Sequence, residues 1–533
     1  MSGEKQEPGV FARQSSGLIR TLSSKETFLL NFMYLSPAAS IAYPLTFAVF
    51  FPGSNWMLAT LVGALLALPT AFMYYYIGML TPRSAGDYVY VSRYLGPRLG
   101  MIQALVNIFG YGIGLDVQTE QSLVIVPFFQ TLGMVFHDPG LITLGNTLVS
   151  NTFYYFVSTT VMILIIGAVL MLSMKWIAKV ISSLTILQII GTFVIIAVLF
   201  SVGRAGFAGD FSSISTSFGG PSYSAITSSY KLSLSFNGLG TLLLGIMIMG
   251  NLFIYNNAPI WVGGEVKKGS RAIKSGILYS YIFAAALSLV LVFSIVDFIG
   301  QRFFIQASDV GWTTSSGAGI PVAPYSLLAF VIIPTLSNLP LLMIILISSL
   351  TWFVSYAFIG GLNGTRAMFA VAMDRLLPEK FLDISPTLKS PYFSVLVFFA
   401  IALLFNYLEI YQGFSLSLMF GVISYMLFQY FIASLAAFRA SKSAGKLSSK
   451  LLISSGLSAI SVISAIGILL GYGALTYNPS GFGFDLFSGN VVPSILLLVG
   501  IVVASLIWFE VARYIRKKNG VDVSTIFKEI PPE

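Results

Sequence analysis

The sequence predicts an all-α integral membrane protein with twelve transmembrane helices, and three observations carry the prediction. Hydrophobic residues make up 56% of the 533 and charged residues only 9%, against roughly 25% charged in a soluble domain. Windows of the roughly 20 apolar residues that a spanning helix needs recur between Thr27 and Arg513, separated by short polar breaks. The basic residues alternate with those windows. With the amino terminus placed inside, all of the 29 Lys and Arg except Arg204, Lys231 and Arg302 fall in inner segments, as the positive-inside rule requires.

Taken in order, residues 1–26 form a polar cytoplasmic tail without the apolar core of a signal peptide. The first six spans are 27–51, 54–79, 99–130, 152–174, 176–202 and 240–264, with Lys175 and Lys179 making the join between the fourth and fifth a tight inner turn. The next six are 274–299, 339–370, 391–408, 414–438, 450–474 and 491–514, followed by a second cytoplasmic tail, 515–533. Arg302 to Ala323 is too polar to span, and 325–338 is expected as a helical element packed in an outer loop. The longest outer loop, 203–239, is rich in Ser, Gly and aromatic residues. It reads as irregular structure capping an entrance or as a surface loop. An even count puts both termini on the cytoplasmic side of the cell membrane.

The chain has no cysteine, and its one histidine, His137, lies in a short polar loop beside Asp138 and Pro139. Disulfides, thiolate metal sites, haem and His-based catalysis are therefore not expected. A membrane enzyme needs clustered acid, base or metal-binding groups at a membrane face, and His137 with Asp138 is too thin a constellation. The net charge of +9 comes from short clusters between apolar segments rather than a basic arm, which argues against nucleic acid as a partner. A channel would need a repeated filter sequence or rings of like charge. Neither is present in the sequence.

Two spans carry interruptions deep in apolar sequence. The first is broken at Ser36, Pro37, Ala38, Ala39 and Ser40, with Pro44 a turn later; the sixth contains Ile254, Tyr255, Asn256, Asn257 and Ala258, followed by Pro259. Proline removes a backbone donor and clashes with the preceding turn, and freed backbone groups persist in hydrocarbon only where they face protein, a cavity or a ligand. The breaks are five helices apart, as two five-helix repeats of inverted topology place them, with a site at the repeat interface. Amides opening the second half of the first span can take a carboxylate, and carbonyls ending the first halves can take an ammonium group. The plainer alternative is two proline kinks in ordinary membrane helices. Phe253 and Tyr255, beside the second break, are the candidate gate.

The third span carries Asp116 and Glu120, four residues apart and so on one face. Intramembrane carboxylates are expensive and are candidates for cation recognition or proton uptake; a vestibule position near outer water is the competing reading. Gly110 and Gly114 read as a close-packing face. Ser348, Thr351 and Ser355 line one face of the eighth span and offer hydroxyls to a sodium ion near Ser355, although such hydroxyls commonly bond to their own helix.

Three stretches resemble the amino acid-polyamine-organocation superfamily of transporters. TPRSAGDYVYVSRYLGPRLG, Thr81 to Gly100, looks like that family's inner loop between helices two and three. GEVKKGSRAI, Gly264 to Ile273, is similar to the motif after helix six, and NGTRAMFAVAMDRLLPEKF, Asn363 to Phe381, to the end of helix eight. The resemblance spans roughly residues 25–440 and implies five-plus-five inverted repeats, here 27–438, with two peripheral helices in 439–514. It also implies alternating access and substrate contacts from the unwound parts of helices one and six, Ser36–Ser40 and Ile254–Ala258. The family's Gly-rich signature in helix one is replaced here by SPAAS. Aligned through AKVISSLTILQ, Gln188 stands where proton-coupled relatives often carry a lysine.

The expectation is therefore a secondary transporter, symporter or exchanger, of amino acids or related amines, in the lipid bilayer. It needs no cofactor; the candidates for coupling are a proton or sodium at Asp116, Glu120, Gln188, Ser348, Thr351 or Ser355, with exchange of substrates or no coupling as the alternatives. A non-transporting nutrient sensor on the same fold, and a carrier of another small solute such as a nucleobase, are the alternatives. Among the inner-loop charges, Glu265 with Arg83 or Arg366 is a candidate ion pair stabilising one state of the access cycle, and a plain topogenic role for those charges is the competing reading.

Overall fold

The computed structural model describes residues 20–109, 111–228, 235–267, 269–313, 320–322, 326–412, 419–469 and 492–527. Among them every regular element is helical, apart from two isolated backbone bridges, Leu22 with Val266 and Ser84 with Val262.

The first span is α1 (Ser24–Leu35) and α2 (Pro37–Thr46), separated at Ser36, whose backbone is left-handed with φ 40°. Ser23 and Glu26 form a capping box that starts α1, which satisfies two of its otherwise orphaned donors. The second span is α3 (Trp56–Leu80). The stretch between the second and third spans is not an open loop: it folds as α4 (Gly86–Tyr94), with its first seven residues buried, before α5 (Pro97–Ile108). The third span continues through α6 (Tyr111–Glu120), a π-helical turn at Gln121–Ile125 and α7 (Val126–Val135). Next come α8 (Pro139–Ser150), a helix of the connection that follows, and α9 (Thr152–Leu170), the fourth span.

The 203–239 region departs from expectation. Helix α10 (Met174–Ser217) runs through the fifth span, bends at Gly203 (φ 66°) and continues as a helical arm, followed by α11 (Tyr223–Ser228). The arm is held by packing rather than by helix propensity. Phe207 and Phe211 are buried against Phe303, and Arg204 Nε donates to the Asp297 carbonyl at 2.7 Å.

The sixth span is α12 (Gly238–Ile248), a π turn at Met249–Phe253, an extended break and α13 (Ala258–Trp261). The seventh begins with α14 (Gly269–Lys274), includes α15 (Ser280–Ser294), and passes Gly300 into α16 (Gln301–Thr313), so helix extends beyond the expected end at 299. The outer element expected at 325–338 is present as α17 (Leu327–Ile332) and a 3-10 turn, Ile333–Thr335. The eighth span, expected as one helix, is divided: α18 (Leu339–Ser349) and α19 (Val354–Met373) are joined by non-helical residues 350–353. Helices α20 (Tyr392–Gln412), α21 (Met419–Ala440), α22 (Ser448–Gly467), α23 (Val492–Lys518) and the short α24 (Val523–Ile526) complete the chain.

Ten helical runs among the described residues are long and apolar enough to cross a membrane. They correspond to the first nine expected spans and the eleventh. Helices α21 and α23 occupy the tenth and twelfth positions, where residues 414–418 and 491 lie outside the described set.

The two ends of the bundle are chemically distinct. At one end, Thr21 and Leu22 donate their amides to the Glu265 carbonyl (2.9 and 3.0 Å), Ala85 N–H to the Trp261 carbonyl (2.9 Å), and Arg516 Nε to the Arg375 carbonyl (2.9 Å). These are the segments that the positive-inside count assigns to one side. At the other end, Asn237 N–H donates to Gly53 (2.9 Å), and Gln301 Nε2 to the Ser54 carbonyl (2.7 Å).

Candidate functional site

Three breaks, not two, meet halfway along the bundle. At the first, Pro37 opens α2 and no side chain caps it, so the Ala38 and Ala39 amides are among the donors that a helix N-terminus leaves for a ligand. Ser40 Oγ bonds to the Leu35 carbonyl (2.7 Å) and the Asn251 carbonyl (3.0 Å), and also to the Tyr356 hydroxyl. This stitches the first break to the sixth and eighth spans. Ser36 Oγ accepts from Gln188 Nε2 at 2.7 Å, and the same nitrogen lies 3.3 Å from the Thr351 carbonyl. Gln188 thus bridges the first break to the third, which hydropathy did not reveal.

The third break is capped from across the bundle. Glu120, fully buried, accepts the Phe353 N–H at 2.8 Å and a bond from the Val354 amide, the first donors of α19. Its neighbour on the same face, Asp116, points elsewhere. It is half-buried and interacts electrostatically with Tyr34, Tyr43, Tyr255 and Tyr356. The rings of Tyr34 and Tyr255 stack at 4.6 Å, and Tyr356 meets Tyr255 edge-on at 5.8 Å. Of the two candidate gate residues, Tyr255 therefore joins the site, whereas the Phe253 ring packs on Tyr281 of α15 at 5.8 Å. Ile254 is wholly buried in the core, and Asn256 turns back to its own Phe253 carbonyl at 2.8 Å.

The hydroxyls proposed for sodium each bond to a carbonyl three residues earlier: Ser348 to Ile345 within α18 (2.9 Å), Thr351 in the break to Ser348 (2.7 Å) and Ser355 of α19 to Trp352 in the break (2.6 Å). Gly191 makes room for Ser348: a Cβ there would stand 1.9 Å from the Ser348 Oγ.

Below the site, on the basic end, the chain is sealed. Glu265 pairs with Arg366 (Nε to Oε1, 3.0 Å), both side chains 2% exposed, so of the two expected partners the arginine of α19 is the one used. Asp87 of α4 accepts from Asn257 Nδ2 (2.9 Å) and Trp261 Nε1 (2.8 Å), while Tyr430 donates to Asn257 Oδ1 (3.2 Å). Asn257 therefore latches the second half of the sixth span to α4. Asp87 was missed in the sequence because α4 reads as a loop.

Burial pushes the Asp87 carboxyl from 3.8 up to about 6, against the downward pull of hydrogen bonds from Trp261, Tyr74 and Asn257. The folded protein thus holds this proton more tightly than the unfolded chain. The stabilisation is complete below about pH 4 and is lost as pH rises through about 6, a change of up to ~3 kcal/mol. Asp87→Asn should flatten the melting temperature against pH across that window, and an unaltered slope would remove Asp87 as its source.

The Amino acid permease family matches residues 49–521, a stretch that holds the sixth- and eighth-span breaks, the buried carboxylates and the contacts that close the basic end, and begins just after the first break. "Uncharacterized protein 399" of Sulfolobus islandicus rod-shaped virus 1 is 22% identical over 490 residues, covering 91% of this chain and 94% of its own. With the family match running over most of its length, this membrane protein belongs to the amino acid permease family.

Proposed function

We propose that the chain is a secondary active transporter that moves amino acids or related amines across the cell membrane by alternating access, with both termini in the cytoplasm. The observation that carries the reading is the meeting of uncapped α2 amides with a carboxylate-faced aromatic cluster at the interrupted helices. The Ala38 and Ala39 amides suit a substrate carboxylate. Asp116 and the rings of Tyr34, Tyr255 and Tyr356 suit an ammonium group, which is drawn to a carboxylate and to aromatic faces. Closure of the basic end by Glu265, Arg366 and Asp87, with Tyr43, Asp116, Asn251 and Tyr356 only half-buried, supports access from the opposite end. Rocking of one helical bundle against the other would exchange the sealed and open ends. The ten-helix core is assigned to 27–438, with 439–514 peripheral.

Thermal stabilisation of the purified protein by L-leucine, L-arginine, putrescine and adenine, followed by flux of the stabilising compound into proteoliposomes, tests this reading. A ligand that binds the native state raises its apparent stability. A shift with an amino acid or amine together with flux is expected. A shift without flux would make the protein a sensor, and a shift with adenine alone would replace the substrate class.

A further inference from the structure

The last long helix, α23, is tied to the basic end of the bundle by its side chains. Trp508 Nε1 donates to the Leu376 carbonyl at 2.9 Å, and Arg516 donates to the carbonyls of Arg375 (Nε, 2.9 Å) and Leu377 (Nη2, 3.2 Å). Three consecutive carbonyls of the turn that follows the eighth span are thus held by α23. Within that turn Arg375 stands at φ 60°, a backbone that a residue other than glycine keeps only where its surroundings hold it. Beyond Lys518 the chain reverses at Gly520 (φ 78°), where the Gly520 and Val521 amides donate to the Lys517 and Arg516 carbonyls at 3.0 and 2.9 Å. This is a glycine-terminated helix end. The chain then runs on as α24, with Val523 and Phe527 buried.

Phe527 lands on a charge. Its ring lies 5.0 Å from the Arg93 guanidinium carbon and 6.4 Å from the Phe509 ring of α23. Arg93, on α4, makes a two-pronged pair with Asp374 at the end of α19, at 2.5 and 2.6 Å, and the two side chains are 4% and 2% exposed. Tyr88 of α4 donates to the same carboxylate at 2.7 Å. Such bidentate pairs are the strong ones, and a ring laid over the guanidinium adds attraction while keeping water off the pair. The other end of α4 grips the sixth span: Asp87 accepts from Asn257 and Trp261, and the Ala85 amide donates to the Trp261 carbonyl. Through this nine-residue helix, Phe527 is mechanically connected to the contacts that close the basic end.

We propose that residues 520–527 are an autoinhibitory strap: seated on Arg93, they fix α4 to the end of the eighth span and so hold the basic end closed, and their release favours opening there. This rests on the alternating-access reading above. Opening at the basic end has to part the second half of the sixth span from the eighth, and α4 is bonded to both. With Phe527 in place, the Arg93–Asp374 pair is shielded and α4 stays with the eighth span. With Phe527 lifted, water reaches the pair, and α4 is free to leave with the sixth.

Hydrogen–deuterium exchange of the full-length protein in lipid nanodiscs tests the strap without relying on transport. Phe527→Ala should speed exchange of the amides of 85–94 and 257–266 by roughly 3–10-fold, the effect of losing one partly buried cation–π contact. Phe527→Tyr keeps a ring over Arg93 and should match the native protein. Unchanged exchange at α4 in Phe527→Ala, or acceleration confined to residues after Lys518, would overturn the strap. Equal acceleration in the outer arm, 203–217, would also overturn it, because it would mark a general loss of stability. Proteoliposome flux separates the strap from the reading beneath it. Faster entry of L-leucine or L-arginine in Phe527→Ala than in the native protein supports both, and flux identical to native would overturn the inhibition. Faster exchange at α4 with no flux of either compound in either protein would support the strap and count against the transporter.

Discussion

Arg366→Ala is expected to destabilise the protein by about 3–5 kcal/mol, because removing one partner of a buried ion pair strands the other charge. The stranded group is Glu265, held by Arg366 Nε at 3.0 Å and Nη2 at 3.4 Å. Its main-chain carbonyl also takes the Thr21 and Leu22 amides, so disturbance there reaches the amino-terminal segment and the start of α1. The inner seal should loosen along with the fold. Since the native sequence has no cysteine, a single cysteine at Ser40 reports inner opening by its labelling from the basic side. The double variant Glu265→Ala/Arg366→Ala should melt higher than Arg366→Ala alone, because it leaves no unpaired charge. A double variant as unstable as the sum of the two singles would show that the pair is not the source of the effect.

Glu120→Ala is the second large effect. It leaves the Phe353 and Val354 amides without an acceptor in the core, at about 1–3 kcal/mol for each orphaned donor. The functional loss should exceed what stability alone accounts for. The third break also places the Trp352 carbonyl 3.4 Å from Ser36 Oγ and the Thr351 carbonyl beside Gln188. Releasing its cap lets those contacts shift together. Glu120→Gln keeps an acceptor oxygen and should retain most of the stability. Melting curves and substrate binding, read side by side, check both statements, and a Glu120→Gln as damaged as the alanine variant would mean that charge and not capping matters.

The breaks of the first and sixth spans were legible because proline and asparagine sit in otherwise apolar runs, and the Glu265–Arg366 pair because both residues lie at inner ends. The break at 350–353 left no such trace. Its residues, Leu350, Thr351, Trp352 and Phe353, are compatible with a helix, and the interruption is stabilised by an acid more than 200 positions away. The burial of Glu409 was hidden for a related reason: hydropathy ends the ninth span before it, and only the packing of α20 on Gly114 shows that it is inside. The 203–239 stretch was misjudged because its Ser and Gly content favours loop, whereas buried Phe207 and Phe211 impose helix on its first half. In each case the deciding contact is distant in sequence.

The arm beyond Gly203 makes the end of the fifth helix a packed element rather than a loose connection. A flexible loop would absorb any displacement of the fifth helix, but a helical arm fixed at Arg204 and packed on Phe303 transmits it. Gln188 sits on the same helix, holding the first and eighth spans at the breaks. In the proposed access cycle, a tilt of the fifth helix would therefore be carried past Gly203 into the arm, coupling the contacts of Gln188 at the breaks to those of Arg204 and Phe211 at the far end of the same helix.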